Sequence, residues 1–111
     1  VADPSKVTDA DIDRYWELLR YPGNRTATVH RFGYGREPSV PGPLPQPIPT
    51  LVMWGAEDKL IPVSSAAWFK AQVPEAQVTI YPGVGHIPME EIPERSAADL
   101  KLWLAKLPVA R

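Results

Sequence analysis

Residues 49–62 read PTLVMWGAEDKLIP, and residues 82–93 read PGVGHIPMEEIP. In the first stretch an apolar run, 50–54, is bounded by Pro49 and Gly55, a pattern that suits a short buried strand. The second stretch follows residues 76–81, AQVTIY, which are β-branched and aromatic and are closed by Pro82-Gly83. They read as a second strand. Between the two, Pro62 can open a helix that runs to about Val73, where Pro74 ends it. Pro93 suits the first turn of a final helix with an apolar stripe of Ala97, Leu100, Leu104 and Leu107, ended by Pro108. The order strand, helix, strand, helix predicts an α/β unit with a parallel pair joined by a right-handed crossover. Two strands leave both outer edges unpaired, so this half of the chain calls for more sheet.

In a parallel unit the loops that follow the strands share one edge, where α/β proteins place their ligand sites. Asp58 stands four residues past Trp54, and His86 stands five past Tyr81. If the strands are neighbours, the two side chains can meet above that edge. A carboxylate that accepts the Nδ1–H of a histidine fixes its tautomer and leaves Nε2 free to take a proton. Gly83 and Gly85 allow the tight turn that presents the ring. Glu57 is the rival acid, and its distance from the strand is less favourable. Glu90 and Glu91 are expected to orient the histidine loop or to begin the final helix. His86 and Glu90 have the four-residue spacing of a helical metal pair, but Pro88 between them argues against a regular helix, so no metal is expected. His30 reads as a surface or packing residue.

Outward from this region the chain turns proline-rich. Proline occurs 14 times in 111 residues, more than twice its usual share of about 5%. Six of the 14 lie within 38–49, PSVPGPLPQPIP. There proline fixes φ and removes backbone donors, which leaves neither helix nor central strand possible. The stretch is expected to be an extended connector spanning up to about 37 Å. It separates an N-terminal part, 1–37, from a C-terminal part, 50–111.

The N-terminal part predicts two helices. Thr8 is a good N-cap, and Asp9, Asp11 and Asp13 place negative charge at the positive helix end. Val7 and Ile12 have hydrophobic-staple spacing. Ile12, Tyr15, Trp16 and Leu19 form one stripe that needs a platform to pack on. Pro22-Gly23 stops this helix, and Asn24 can cap a second one carrying Ala27, Val29 and Phe32. Trp54, Trp68 and Trp103 are expected in a core or an interface.

Composition excludes several classes. Twelve basic and 13 acidic residues give a net charge of −1, which predicts no nucleic-acid face. No uninterrupted apolar run exceeds four residues, so this chain holds no membrane span or signal-peptide core. The absence of cysteine excludes a disulfide scaffold.

The two loop sequences together resemble the α/β-hydrolase family. Gly-x-x-Asp after an apolar strand, Gly-His after the next and the trailing Glu-x-Pro look like that family's acid and histidine loops. The likeness runs from Pro49 to just beyond Leu107, and acid before histidine is the family order. The resemblance implies the C-terminal part of an α/β-hydrolase fold, with Asp58 as triad acid and His86 as general base. It implies no cofactor. It also makes 1–37 look like the end of a helical cap, with Tyr15, Trp16 and Ile87 as candidate substrate-pocket residues. Packing is the other use for Tyr15 and Trp16.

The family's nucleophile elbow, G-x-S-x-G or its Asp version, does not occur. Ser5, Ser39, Ser64, Ser65 and Ser96 all lie in other contexts. The chain is therefore expected to be a fragment, inactive alone. Its expected partner is an N-terminal part of the same hydrolase that carries the nucleophile, and its substrate a small ester, epoxide or carbon–halogen compound. Exposed sheet edges and tryptophans are expected to favour self-association. A non-catalytic binding protein of the same fold and a proline-rich interaction module are the competing readings.

Overall fold

Two five-residue strands, β1 (Leu51–Gly55) and β2 (Gln77–Tyr81), pair in parallel in the computed structural model, which describes residues 1–33 and 48–108. Leu51 lies opposite Gln77 and Gly55 opposite Tyr81, so both strands end at one edge. Helix α3 (Ser64–Gln72) connects them. It starts two residues later than the position of Pro62 suggests, because Val63 takes the N-cap. A short helix, α4 (Pro88–Glu91), and a longer one, α5 (Pro93–Leu104), follow β2.

The α4 turn begins only at Pro88, so no regular helix carries both His86 and Glu90, as expected. Proline lacks an N–H, but the first helical residue needs none, so Pro88 begins the turn instead of preventing it. His86 precedes α4, and its spacing to Glu90 is not a helical one.

Among the described residues the buried apolar ones are few, Ala66, Ala76, Tyr81 and Val84, and of these only Tyr81 is large. Tyr81 ends β2 with its ring fully buried. Its hydroxyl donates to Asp99 Oδ2 on α5 at 2.9 Å, and the Arg95 guanidinium lies 5.2 Å from the ring centre. Burial, with the Asp99 carboxylate beside it, pushes the phenol up to about 12. The expected α5 stripe is not a buried one. Leu100 and Leu104 are exposed, and the residue that α5 buries is Ser96, whose hydroxyl donates to the Pro93 carbonyl.

Two compact units make up the chain: Val1–Lys6 with Pro43–Arg111, and Val7–Gly42. The first six residues, expected to belong to a cap, thus join the sheet unit, where Pro4–Lys6 form a 3-10 turn. Ten of the twelve residues of the expected connector, 38–47, lie outside the described residues.

In the second unit α1 (Asp9–Arg20) begins at Thr8 as expected. The cap is a reciprocal box: the Asp11 amide donates to Thr8 Oγ1, and the Thr8 amide donates to Asp11 Oδ2. Helix α2 (Asn24–Gly33) includes Asn24 as its first residue instead of its cap. Gly23, at φ +90°, supplies the carbonyl that starts α2, and the Asn24 side chain donates back to Leu18 of α1. Neither helix buries a residue; Ile12, Tyr15, Trp16 and Leu19 are all exposed. Among the described residues no helix is long and apolar enough to cross a membrane.

Candidate active site

The loops leaving β1 and β2 are held together by main-chain bonds. Ala56 N–H donates to the Tyr81 carbonyl at 2.9 Å, and Glu57 N–H to the Val84 carbonyl at 2.8 Å. Gly55 is needed at this crossing, because a Cβ there would collide with the carbonyls of Gly85 and Val84. Gly83 takes φ +72° in the turn that follows β2, a conformation that favours glycine.

Asp58 is seated by its own loop. The amides of Leu60 and Ile61 both donate to its Oδ1 at 2.9 Å. This local turn leaves Oδ2 for the histidine, and His86 Nδ1 lies 2.9 Å from it. The Asp58 side chain is 3% exposed and that of His86 is 40% exposed. Burial pushes the Asp58 carboxyl up, but the hydrogen bond from His86 and those from Ile61 and Leu60 outweigh it. The carboxyl is held below its usual range and is ionised near neutral pH. An ionised carboxylate only accepts, so the proton on this bond belongs to His86 Nδ1. In the neutral ring Nε2 is then the acceptor, on a partly exposed side chain.

The sequence-expected pair is therefore in contact, and the rival Glu57 is exposed beside it. A cavity of about 120 Å³ adjoins the pair, lined by Met53, Trp54, Gly55, Asp58, Ile61 and His86. Trp54 reaches over the acid loop and donates through Nε1 to the Ile61 carbonyl at 3.2 Å. Trp54, expected in a core or an interface, thus lines the site; its place at the strand end, seven residues before Ile61, is the signal in the sequence.

Ile87 follows His86, is half-buried and uses its amide on Glu91. Tyr15 and Trp16 belong to the helical unit. Tyr15 lines a groove there with Leu18, Leu19, Ala27 and Phe32, and Arg25 lies over the Trp16 ring. Glu91, expected to orient the histidine loop or open the last helix, is buried against that loop, whereas Glu90 is exposed.

A parallel sheet edge that brings together a buried aspartate and an exposed histidine, from the loops of successive strands, is the arrangement of an α/β hydrolytic fold. Comparison with known proteins agrees. A serine hydrolase involved in carbazole degradation, the CarC enzyme, superposes with a TM-score of 0.74 at 29% identity, over 89% of this chain and 40% of that one. Lipase 3 of Moraxella sp. (strain TA144) is 43% identical over 56 residues, 50% of this chain and 18% of the lipase. Lipase 1 of Psychrobacter immobilis is 38% identical over 64 residues, 58% of this chain and 20% of the lipase. No family model matches. The chain has the fold of a C-terminal part of an α/β-hydrolase. It matches about a fifth of the length of these lipases.

Proposed function

We propose that this chain supplies the base and the acid of a nucleophile–histidine–acid triad that hydrolyses an ester. The observation that carries the reading is the 2.9 Å contact between His86 Nδ1 and a buried, ionised Asp58, with Nε2 left as acceptor. The nucleophile belongs to a segment of the complete hydrolase that has no counterpart in these 111 residues. The names of the relatives, a serine hydrolase and two lipases, favour serine over aspartate in that role, and an ester over an epoxide or a carbon–halogen bond.

In this reading the serine hydroxyl gives its proton to His86 Nε2 as its oxygen bonds to the ester carbonyl carbon. Asp58 keeps its charge and stabilises the imidazolium that results. The same proton passes to the departing alkoxide, which leaves as the alcohol. Water then repeats the step on the acyl-enzyme and releases the acid.

The test is a chimaera in which this chain replaces the matching part of the carbazole-pathway serine hydrolase. The chimaera should turn over p-nitrophenyl esters, and His86→Ala should lower turnover by about 10⁴-fold or more. The 111-residue chain alone should give no turnover. Undiminished hydrolysis by the His86→Ala chimaera would remove the histidine from the mechanism.

A further inference from the structure

Glu91 lies five residues beyond His86, and its side chain is only 1% exposed. Its Oε2 accepts the Gly85 amide at 3.0 Å and the Ala2 amide at 2.7 Å, and its Oε1 accepts the Ile87 amide at 3.4 Å. Burial pushes this carboxyl up, and the three amides more than offset it, holding it below its usual range. It is thus a buried carboxylate held by main-chain donors. Two of its three donors, Gly85 and Ile87, flank His86.

Gly85 leaves no slack in this arrangement. A Cβ there would lie 2.6 Å from the Ala2 nitrogen and 2.8 Å from Glu91 Oε1. The space a side chain would fill is taken by the carboxylate and by residues 1–2. The contact is reinforced by Lys6, whose Nζ donates to the Glu91 carbonyl at 3.0 Å. Residues 1–6 are thereby fastened to the histidine loop at two points, and the chain then runs directly into α1.

We propose that Glu91 is the positioning residue of this site: it grips the backbone on both sides of His86 to keep Nδ1 on Asp58, and ties that loop to the segment that leads into α1. Both bonds are charge-assisted and they bracket one residue, the Gly85 bond at 3.0 Å being the closer and the Ile87 bond at 3.4 Å the weaker. The proposal rests on the reading of His86 as the base. Its readout is the His86 ring itself, so it fails or stands separately from ester turnover by the chimaera.

The experiment uses the ¹⁵N-labelled 111-residue chain, with His30→Gln to single out the His86 ring in proton–nitrogen correlation spectra. The parent ring should be the Nδ1–H tautomer with a slowly exchanging proton. Glu91→Ala should speed exchange of that proton by about tenfold, the cost of a lost charge-assisted hydrogen bond. Glu91→Gln keeps the volume and one acceptor oxygen, so it should fall between the two. The amides of Leu60 and Ile61, which seat Asp58 independently, should exchange as in the parent. An unchanged His86 ring in Glu91→Ala overturns the proposal. So does joint loss of protection at Leu60, Ile61 and both strands in both variants, which would assign Glu91 to folding alone.

Discussion

Where β1 and β2 end, Asp58 and Glu91 are sealed to 3% and 1% exposure with all four carboxylate oxygens in use, whereas α1 and α2 bury no residue. Both regions begin from plain local signals: a turn aspartate in one, a capping threonine in the other. The difference lies in what the rest of the chain brings to them. Around Asp58 and His86, segments 28 residues apart in sequence meet and satisfy each other's polar groups. Among the described residues no buried side-chain nitrogen or oxygen lacks a partner. Along α1 the capping box closes the helix end from within, and the apolar stripe meets little. A cap fixes where a helix starts; it carries no information on what will cover the helix.

The contrast is open to attack by mutation. The largest effect should come from Asp58→Asn in the chimaera, where ester turnover should fall by about 10⁴-fold with the fold retained. Turnover close to the parent value would mean that His86 does not depend on Asp58. Gly55→Ala should cost about 3 kcal/mol or more in denaturant unfolding, since the new methyl meets two backbone carbonyls and not a movable side chain. A milder cost would show that the two loops can part without harm.

Acid should weaken the sheet unit. Asp58 and Glu91 are both held below their unfolded values, so their contribution is full above the ordinary carboxylate range. It should drain away as pH falls below about 4 and through the folded-state values. Asp58→Asn removes one of these groups and should flatten the stability–pH profile there. An unaltered profile would mean that Asp58 does not contribute to it.

Smaller effects are expected in the helical unit. Thr8→Ala should cost about 1 kcal/mol of α1 stability, read as lost helical circular dichroism. An unchanged spectrum would remove the capping box from the stability of α1. Ile12, 56% exposed on α1, should tolerate Ile12→Ser within about 0.5 kcal/mol. If the exposed stripe drives self-association of the isolated chain, the same substitution should lower the mass seen by light scattering. A large destabilisation would reveal a covered stripe.

Much of the site was legible because it is written in short segments. Apolar runs bounded by Pro and Gly gave both strands to within a residue, and distance from the strand end selected Asp58 over Glu57. What was not legible depends on distant meetings. Nothing near Ala2 announces a bond to a residue 89 positions away. The helical stripes of α1 and α5 satisfied the 3.6-residue period, but periodicity reports a face and not its cover, and Leu100, Leu104 and Trp16 remain exposed. Pro88 correctly signalled that no helix runs through His86 and Glu90; that it also starts α4 follows from its place at the first turn.

The bond between Tyr81 and Asp99 sets a limit on shortening the chain. Tyr81 has no access to water and keeps its proton up to about 12, so its hydroxyl is a permanent donor in search of an acceptor. Asp99, midway along α5, is that acceptor. A chain cut before Asp99 would leave the hydroxyl dry at the very strand end from which the histidine loop departs. Among the described residues past Leu104 none bonds to β2, so trimming back toward the end of α5 should be tolerated but not into its middle.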